Sequence, residues 1–441
     1  MLRSISRPGR WPLALMLVGL GACADEPSAP RIPSPSRPNA NLGDVITVTN
    51  TSGGTGQGSL RWAVAQVAGG EIIRFAPALA GATIVVDSTI PVLHPITIEG
   101  PADKGVTISG GNATHIFEVY MLPSATTFRN LALVNGEGNG SAGGGAIVAT
   151  SDIVLENVTL SNHTGSDWAA FYTTENATFI NTTISSNNTT TPGRYGAAFV
   201  AKKLTLVNST IAYNNNGGVD VRGPLAMRNS IITHNGAGPN CSYVPSFERA
   251  GRNLADDTSC GDSTVMLIAP AKLDSLRNNG GPGKTHALTG ASPAINAGKD
   301  CTVTVDQRYV PRDASCDLGA FEFKDFTTVT ITNNTSLPVD PTTGLVFVAG
   351  SVTCSTNETF DLAVEVTQEQ KAGRGSSVVK AAGTVTVTCS KTAAQPWGVA
   401  LAPSSGEFGI GSAVVTTKTA APPYIIPATV STPIKLYRGR K

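Results

Sequence analysis

Ile153-Val154-Leu155-Glu156-Asn157-Val158-Thr159-Leu160 reads as two short strands joined at an asparagine, and the arrangement recurs along the chain. Ala177-Thr178-Phe179, Leu204-Thr205-Leu206 and Leu225-Ala226-Met227 each run toward an asparagine in the same way. Asn130, Asn157, Asn181, Asn208 and Asn229 each stand three residues before an aliphatic side chain (Leu133, Leu160, Ile184, Ile211, Ile232), at intervals of 27, 24, 27 and 21. A unit of this length cannot bury its apolar face alone, so successive units must stack and share one core. Asparagine tolerates the left-handed backbone region, and its amide can bond the same amide one coil away. The five residues therefore predict a structural ladder with a rise of about 4.8 Å per coil.

Asn135, Asn162, Asn187, Asn214 and Asn235 follow five or six residues later and predict a second corner in each coil. Asn157, Asn181 and Asn208 also fall in glycosylation sequons, but a corner asparagine followed by a strand threonine produces that pattern for structural reasons. Ser59 to Ala68, with an N-cap serine and a stop at Gly69-Gly70, predicts a helix that covers the first coil.

The chain has 441 residues, 41% of them apolar and 14% charged, enough for two or three domains. Its 32 basic and 31 acidic residues give no field that would steer nucleic acid. Residues 1–22 carry Arg3, Arg7 and Arg10 and then an apolar run from Trp11 to Leu20, too short to span a bilayer and readable as an export signal. Leu20-Gly21-Ala22-Cys23 resembles a bacterial lipobox, which implies that Cys23 is acylated and, with Ala24 following, held at the outer membrane or cell surface. Residues 23–42, rich in proline and serine, form a tether that cannot be helix or central strand. The six remaining cysteines, Cys241, Cys260, Cys301, Cys316, Cys354 and Cys389, suggest disulfides outside the cytoplasm. Spacing alone allows fifteen connectivities, of which neighbour pairing closes the shortest loops. Zinc ligation is disfavoured because no C-x-x-C pair is present.

Several motifs between residues 43 and 323 resemble bacterial right-handed parallel β-helix proteins: Gly58-Ser59-Leu60-Arg61, Ile96-Thr97-Ile98-Glu99-Gly100 and Val106-Thr107-Ile108-Ser109-Gly110. The end of this region is similar to the choice-of-anchor Q domain in Asn278-Asn279-Gly280-Gly281-Pro282, Ser292-Pro293-Ala294-Ile295-Asn296-Ala297-Gly298, Asp306-Gln307-Arg308 and Cys316-Asp317-Leu318-Gly319-Ala320-Phe321-Glu322. Tyr309 stands where that family has glycine. The resemblance implies an exported, surface-held coil related in shape to pectate lyases, with no established common catalytic residue. After Phe323 the pattern becomes alternating, as in Leu362-Val364-Val366 and Val385-Val387, and predicts a separate immunoglobulin-like β-sandwich over residues 326–441, stapled by Cys354 and Cys389 with Trp397 in its core. The expected fold is thus all-β, a right-handed parallel β-helix followed by a small immunoglobulin-like sandwich.

Chemistry is harder to read. Glycosidases need two facing carboxylates, and β-helix lyases need acidic calcium ligands beside a basic residue. Glu118, Glu137, Asp152, Glu156, Asp167, Glu175 and Asp220 are scattered instead. Arg129 and Glu156 read as a surface ion pair in adjacent coils. Asp306, Arg308, Asp317 and Glu322 read as a structural closure. His94, His115, His163, His234 and His286 read as isolated turn or surface residues. Gly143-Gly144-Gly145 lacks the lysine and helix of a phosphate loop. No catalytic residue, metal ligand or cofactor is assigned. Trp168 and Tyr172 are the candidate ligand contacts, because they lie where the coil lengthens and aromatic rings suit sugar faces. The expected protein is a monomer held to the membrane by its lipid, non-enzymatic, and engaged in adhesion to a polysaccharide or surface protein. The rival is a polysaccharide lyase or glycoside hydrolase acting on the β-helix flank.

Overall fold

The computed structural model describes residues 45–138, 143–191, 196–264, 266–325, 327–372, 375–420 and 425–439. The export signal, Cys23 and the whole tether lie outside the described residues.

Three parallel sheets build the coil. The first stacks nine strands from Val45–Val48 to Phe247–Ala250, the second nine from Thr83–Val85 to Leu267–Ile268, and the third seven from Ile90–Val92 to Cys241–Ser242. A minor sheet of three two-residue strands begins at Glu137–Gly138. The strands of these sheets pair in parallel with those of consecutive turns, so each inward position forms a file along the axis. Ile98, Phe128, Leu155, Phe179 and Leu206 make the file of the first sheet. Leu133, Leu160, Ile184, Ile211 and Ile232, the aliphatic residues of the sequence repeat, make that of the second. Phe117, Ile147, Phe171, Ala198 and Val219 make that of the third. All are essentially excluded from solvent, and each large side chain so buried contributes about 1.5–3 kcal/mol.

The corners carry the polar half of the design. Asn130, Asn157, Asn181, Asn208 and Asn229 all adopt positive φ, between 46° and 57°, where asparagine is tolerated and β-branched residues are not. Asn157 donates to Asn130 Oδ1 and Asn181 to Asn157 Oδ1, each at 3.2 Å. The chain of amides then stops: Asn208 is buried with neither amide atom paired, and Asn229 donates instead to the carbonyl of Lys299.

At the second corner the sequence expectation needs correction. Asn135, Asn162, Ser186, Tyr213 and His234 take the left-handed turn, whereas the buried ladder lies one residue further on. It runs from His163 through Asn187, Asn214 and Asn235 to Asn240 and Asp256. Asn135 and Asn162 are therefore turn residues, and Asn187, Asn214 and Asn235 are core residues. His163 is likewise no surface group. It is fully buried, with Nδ1 accepting from Gly136 N and Nε2 donating to Leu133 O.

The helix Leu60–Ala65 is shorter than expected. Ser59 caps it by accepting from Trp62 N at 3.1 Å, and Leu60, Ala63 and Val64 are buried where it covers the first coil. Cysteines pair as Cys241–Cys260, Cys301–Cys316 and Cys354–Cys389. Three disulfides fit an oxidising extracellular environment. Among the described residues no helix is long and apolar enough to cross a membrane.

Beyond the coil, eight strands from Val329–Asn333 to Thr429–Arg438 form one mixed, mainly antiparallel sheet. Among the described strands the parallel pair joins Ser336–Val339 to Thr429–Arg438. Leu362, Val364 and Val366 alternate inward as expected and share a core with Phe360, Phe408 and Trp397. Seven of these strands follow one hydrogen-bonded path, and the eighth, Gln395–Leu401, branches from it by pairing with Val346–Cys354.

Burial lowers the His163 pKa from 6.5 to about 4, while its two backbone bonds act weakly the other way. The unfolded chain therefore binds the extra proton first, and stability falls as pH drops from about 6.5 toward 4, by about 3 kcal/mol across that window. Urea denaturation of wild type and His163→Asn at pH 7.5, 5.5 and 4 checks this: the variant's loss of stability on acidification is expected to be smaller by that amount, and equal slopes contradict it.

Candidate functional site

Alternation along the third sheet turns Glu118, Val148, Tyr172, Phe199, Asp220 and Ser242 outward, one per coil and in register. Trp168 precedes the strand Phe171–Thr173 and leans over this file. Its ring lies 4.4 Å from that of Phe199 and 5.4 Å from that of Tyr172, and Tyr172 stacks on Phe199 at 5.0 Å with an interplanar angle of 14°. Phe171, grouped with them in the sequence, points into the core and meets Phe179 edge-on. Trp168 and Tyr172 remain half-buried, so the structure brings the two candidate contacts together on a solvent-facing surface.

Sequence reasoning missed what surrounds them. Arg222 places its guanidinium 3.9 Å from the Tyr243 ring centroid and 5.9 Å from that of Phe199. It also pairs with Asp220, whose side chain is buried beneath it. Burial pushes the Asp220 carboxyl above its ordinary pKa, and Arg222 and the facing indole N–H of Trp168 offset this in part. Asp220 Oδ1 lies 3.0 Å from Arg222 Nε, whereas the buried Ser242 Oγ has no hydrogen-bond partner among the described residues. Phe199, Arg222 and Tyr243 come from later coils, and only the stacking register places them beside Trp168.

The file offers no facing carboxylate pair. Glu118 and Asp220 are separated by four register steps, about 19 Å at 4.8 Å per strand, whereas glycosidases hold their carboxyl groups about 5–9.5 Å apart. On the first sheet Arg74, Glu99, Arg129 and Glu156 alternate in a surface ion-pair row, with Arg129 Nε 2.8 Å from Glu156.

The other acidic group is structural. Residues 278–322 run back along the second sheet as a strap. Thr159 Oγ1 donates to Lys284 O, Gln307 bridges Thr159 and Thr183, and Thr210 Oγ1 accepts from Ala320 N. Close approach explains the glycines of the motif: a Cβ on Gly283 would lie 2.3 Å from Thr159 Oγ1, and one on Gly281 2.5 Å from Arg308 Cα. Asp306 holds Arg308 in a buried ion pair, and Glu322 holds Arg312 in another. Arg312 uses all five donors, on Val305 O, Asp317 O, Glu322 Oε2, Asn181 Oδ1 and Gly319 O, and so ties the strap to the asparagine ladder. Tyr309, the departure from the resembled motif, donates to Asn130 Oδ1 at 2.8 Å. Asp317 is pushed up to about 7, first by burial and then by Glu322.

His286, expected at the surface, is buried under the strap. It sits 2.8 Å from Ser185 Oγ and donates from Nδ1 to Asp274 O. The pair resembles a nucleophile with its base, but Ser185 is fully covered, so it serves as packing. Among the described residues no group of three or more His, Cys, Asp or Glu is arranged to hold a metal ion.

No family model matches the chain, and no curated protein matches it. Among solved structures, the pectate lyase Pel9A is similar over 65% of this chain and 98% of its own, at 14% identity and a TM-score of 0.33. The tailspike protein of Acinetobacter phage vB_ApiP_P1 is similar over 83% of this chain and 82% of its own, at 12% identity and a TM-score of 0.24. Functional argument therefore rests on the chain's own geometry.

Arg312→Met leaves the Glu322 carboxylate buried and unpaired, which costs about 3–5 kcal/mol. Urea denaturation at pH 7.5 is expected to register a loss of that size, and a loss below about 1 kcal/mol contradicts the role assigned to Arg312.

Proposed function

We propose that the protein is an extracytoplasmic surface protein, anchored through acylated Cys23, that holds a polysaccharide against the third-sheet flank without cleaving it. The observation that carries this reading is the cluster of Trp168, Tyr172 and Phe199 beside Arg222 and Asp220 on an otherwise regular coil. Aromatic faces cover the C–H faces of sugar rings, and the half-exposed Arg222 guanidinium, held by the buried Asp220, can bond their hydroxyls. The wide separation of Glu118 and Asp220 argues against hydrolysis along this file. The strap motifs, similar to a choice-of-anchor Q end, and the lipobox-like segment support the surface-held part of the reading. A polysaccharide lyase or hydrolase is the second reading, and the adjacency of Asp220 and Arg222 favours it, since proton abstraction needs a base near a charged partner.

Incubation of the purified protein with polyuronates and neutral glycans, with and without calcium, separates the two. Retention without product release is expected, reduced about tenfold in Trp168→Ala and less in Tyr172→Ala. Release of unsaturated or reducing ends overturns the non-enzymatic reading, and retention unchanged in both variants overturns the site.

A further inference from the structure

A second recess opens on the second sheet, beside the start of the strap. Residues 278–284 form one wall and Gly81, Asp103 and Lys104 the other, bounding a cleft of about 620 Å³, within the ~300–1,000 Å³ of small-molecule sites. The strap meets the loop that carries Lys104: a Cβ on Gly105 would lie 2.3 Å from Pro282 O. The floor is the outward face of the sheet. Because Leu133 and Leu160 point inward, Ala132 and Val134 face out, and so do Thr159 and Ser161 one coil on.

Thr159 is engaged by Lys284 O and Gln307. Ser161 is 1% exposed and lines the cleft, yet its hydroxyl has no hydrogen-bond partner among the described residues. Its file neighbours are paired: Ser109 Oγ accepts from Gly111 N, and Ser185 Oγ meets His286 Nε2. Buried hydroxyls are normally satisfied, and the cleft gives a ligand access to this one. At the corner the Asn162 side chain also lines the cleft unbonded. Lys104 and Lys284 stand on the two walls, neither in an ion pair among the described residues, and Asp103 is the carboxylate of the same lining. No aromatic ring lines the cleft. The set is rich in donors, net positive, and offers no surface for a stacked base.

We infer that this cleft is a second binding site and takes an acidic sugar, with a carboxylate or sulfate ester held by Lys104 and Lys284 and ring hydroxyls by Ser161 and Asn162. An inorganic oxyanion would fill a small part of this volume. A sugar ring adds hydroxyls that donate and accept at once, matching the Ser161 hydroxyl and the Asn162 amide. The inference goes beyond the third-sheet flank, since the cleft lies on another sheet and shares no residue with the Trp168 cluster.

Isothermal titration of the purified protein at low salt with digalacturonate, a sulfated chondroitin disaccharide and uncharged cellobiose tests this. At least one acidic sugar is expected to bind more tightly than cellobiose, and which of the two does so identifies the oxyanion. The double variant Lys104→Gln/Lys284→Gln should weaken that binding about tenfold and Asp103→Asn strengthen it about threefold, because these charges are exposed and each acts modestly. Ser161→Ala should weaken it about fivefold with no loss in urea stability, since it removes no bond within the fold. Trp168→Ala should leave it unchanged, which separates the cleft from the flank. Equal binding of cellobiose, or no binding of either acidic sugar, overturns the inference. Acidic-sugar binding that is lost in Trp168→Ala and indifferent to the lysine and Ser161 variants also overturns it, while supporting the flank.

Discussion

Everything in this molecule depends on keeping its coils in register, and buried amides do that work at two corners. A parallel strand slipped by one residue would exchange its inward and outward faces, moving Phe179 into solvent and Thr178 into the core. The apolar files alone penalise such a slip, but they do not fix where each turn begins. An asparagine with φ near 50° that also bonds the amide of the next coil fixes both at once. The second ladder, from His163 through Asn187, Asn214 and Asn235, repeats the device on the opposite side of the second sheet. With register so held, one outward file can present Tyr172, Phe199, Asp220 and Ser242 in a row.

The ladders also explain how the strap attaches. A stack of amides ends in unsatisfied valences wherever its repeat is interrupted, and the strap supplies partners at several of those points. Tyr309 reaches Asn130, Arg312 reaches Asn181, and the Lys299 backbone reaches Asn229. Arg312 is balanced by Glu322, so a cation enters the interior with its counter-ion and four further acceptors. Covering the second sheet in this way leaves the third sheet as the flank where aromatic side chains stand open to solvent.

The coil was legible in the sequence because its signal is repeated. Five asparagines at similar spacing, each three residues before an aliphatic side chain, specify both a corner and an inward file, and the aliphatic residues are the inward file of the second sheet. The second corner was legible only to within a residue. Asn135 and Asn162 hold the turn, while Asn187, Asn214 and Asn235 hold the ladder, and linear spacing alone does not separate the two roles. The site was legible only in fragments. Trp168 and Tyr172 are close in sequence and could be paired, but Phe199, Asp220, Arg222 and Tyr243 join them through stacking of coils 21 to 27 residues long. His163 and His286 misled for the same reason: isolation in sequence says nothing about burial under a later coil or strap.

The central claim is that Trp168 sits in the sugar-binding surface, and tryptophan fluorescence tests it directly. Among the described residues the other tryptophans are Trp62 and Trp397, the latter in the core of the C-terminal sheet. Titration of a neutral oligosaccharide into the variant carrying Trp62→Phe and Trp397→Phe is predicted to shift and quench the emission saturably, with no such change in Trp168→Phe. An equal change in Trp168→Phe, or a silent Trp168 in a protein that still retains the glycan, would contradict the account.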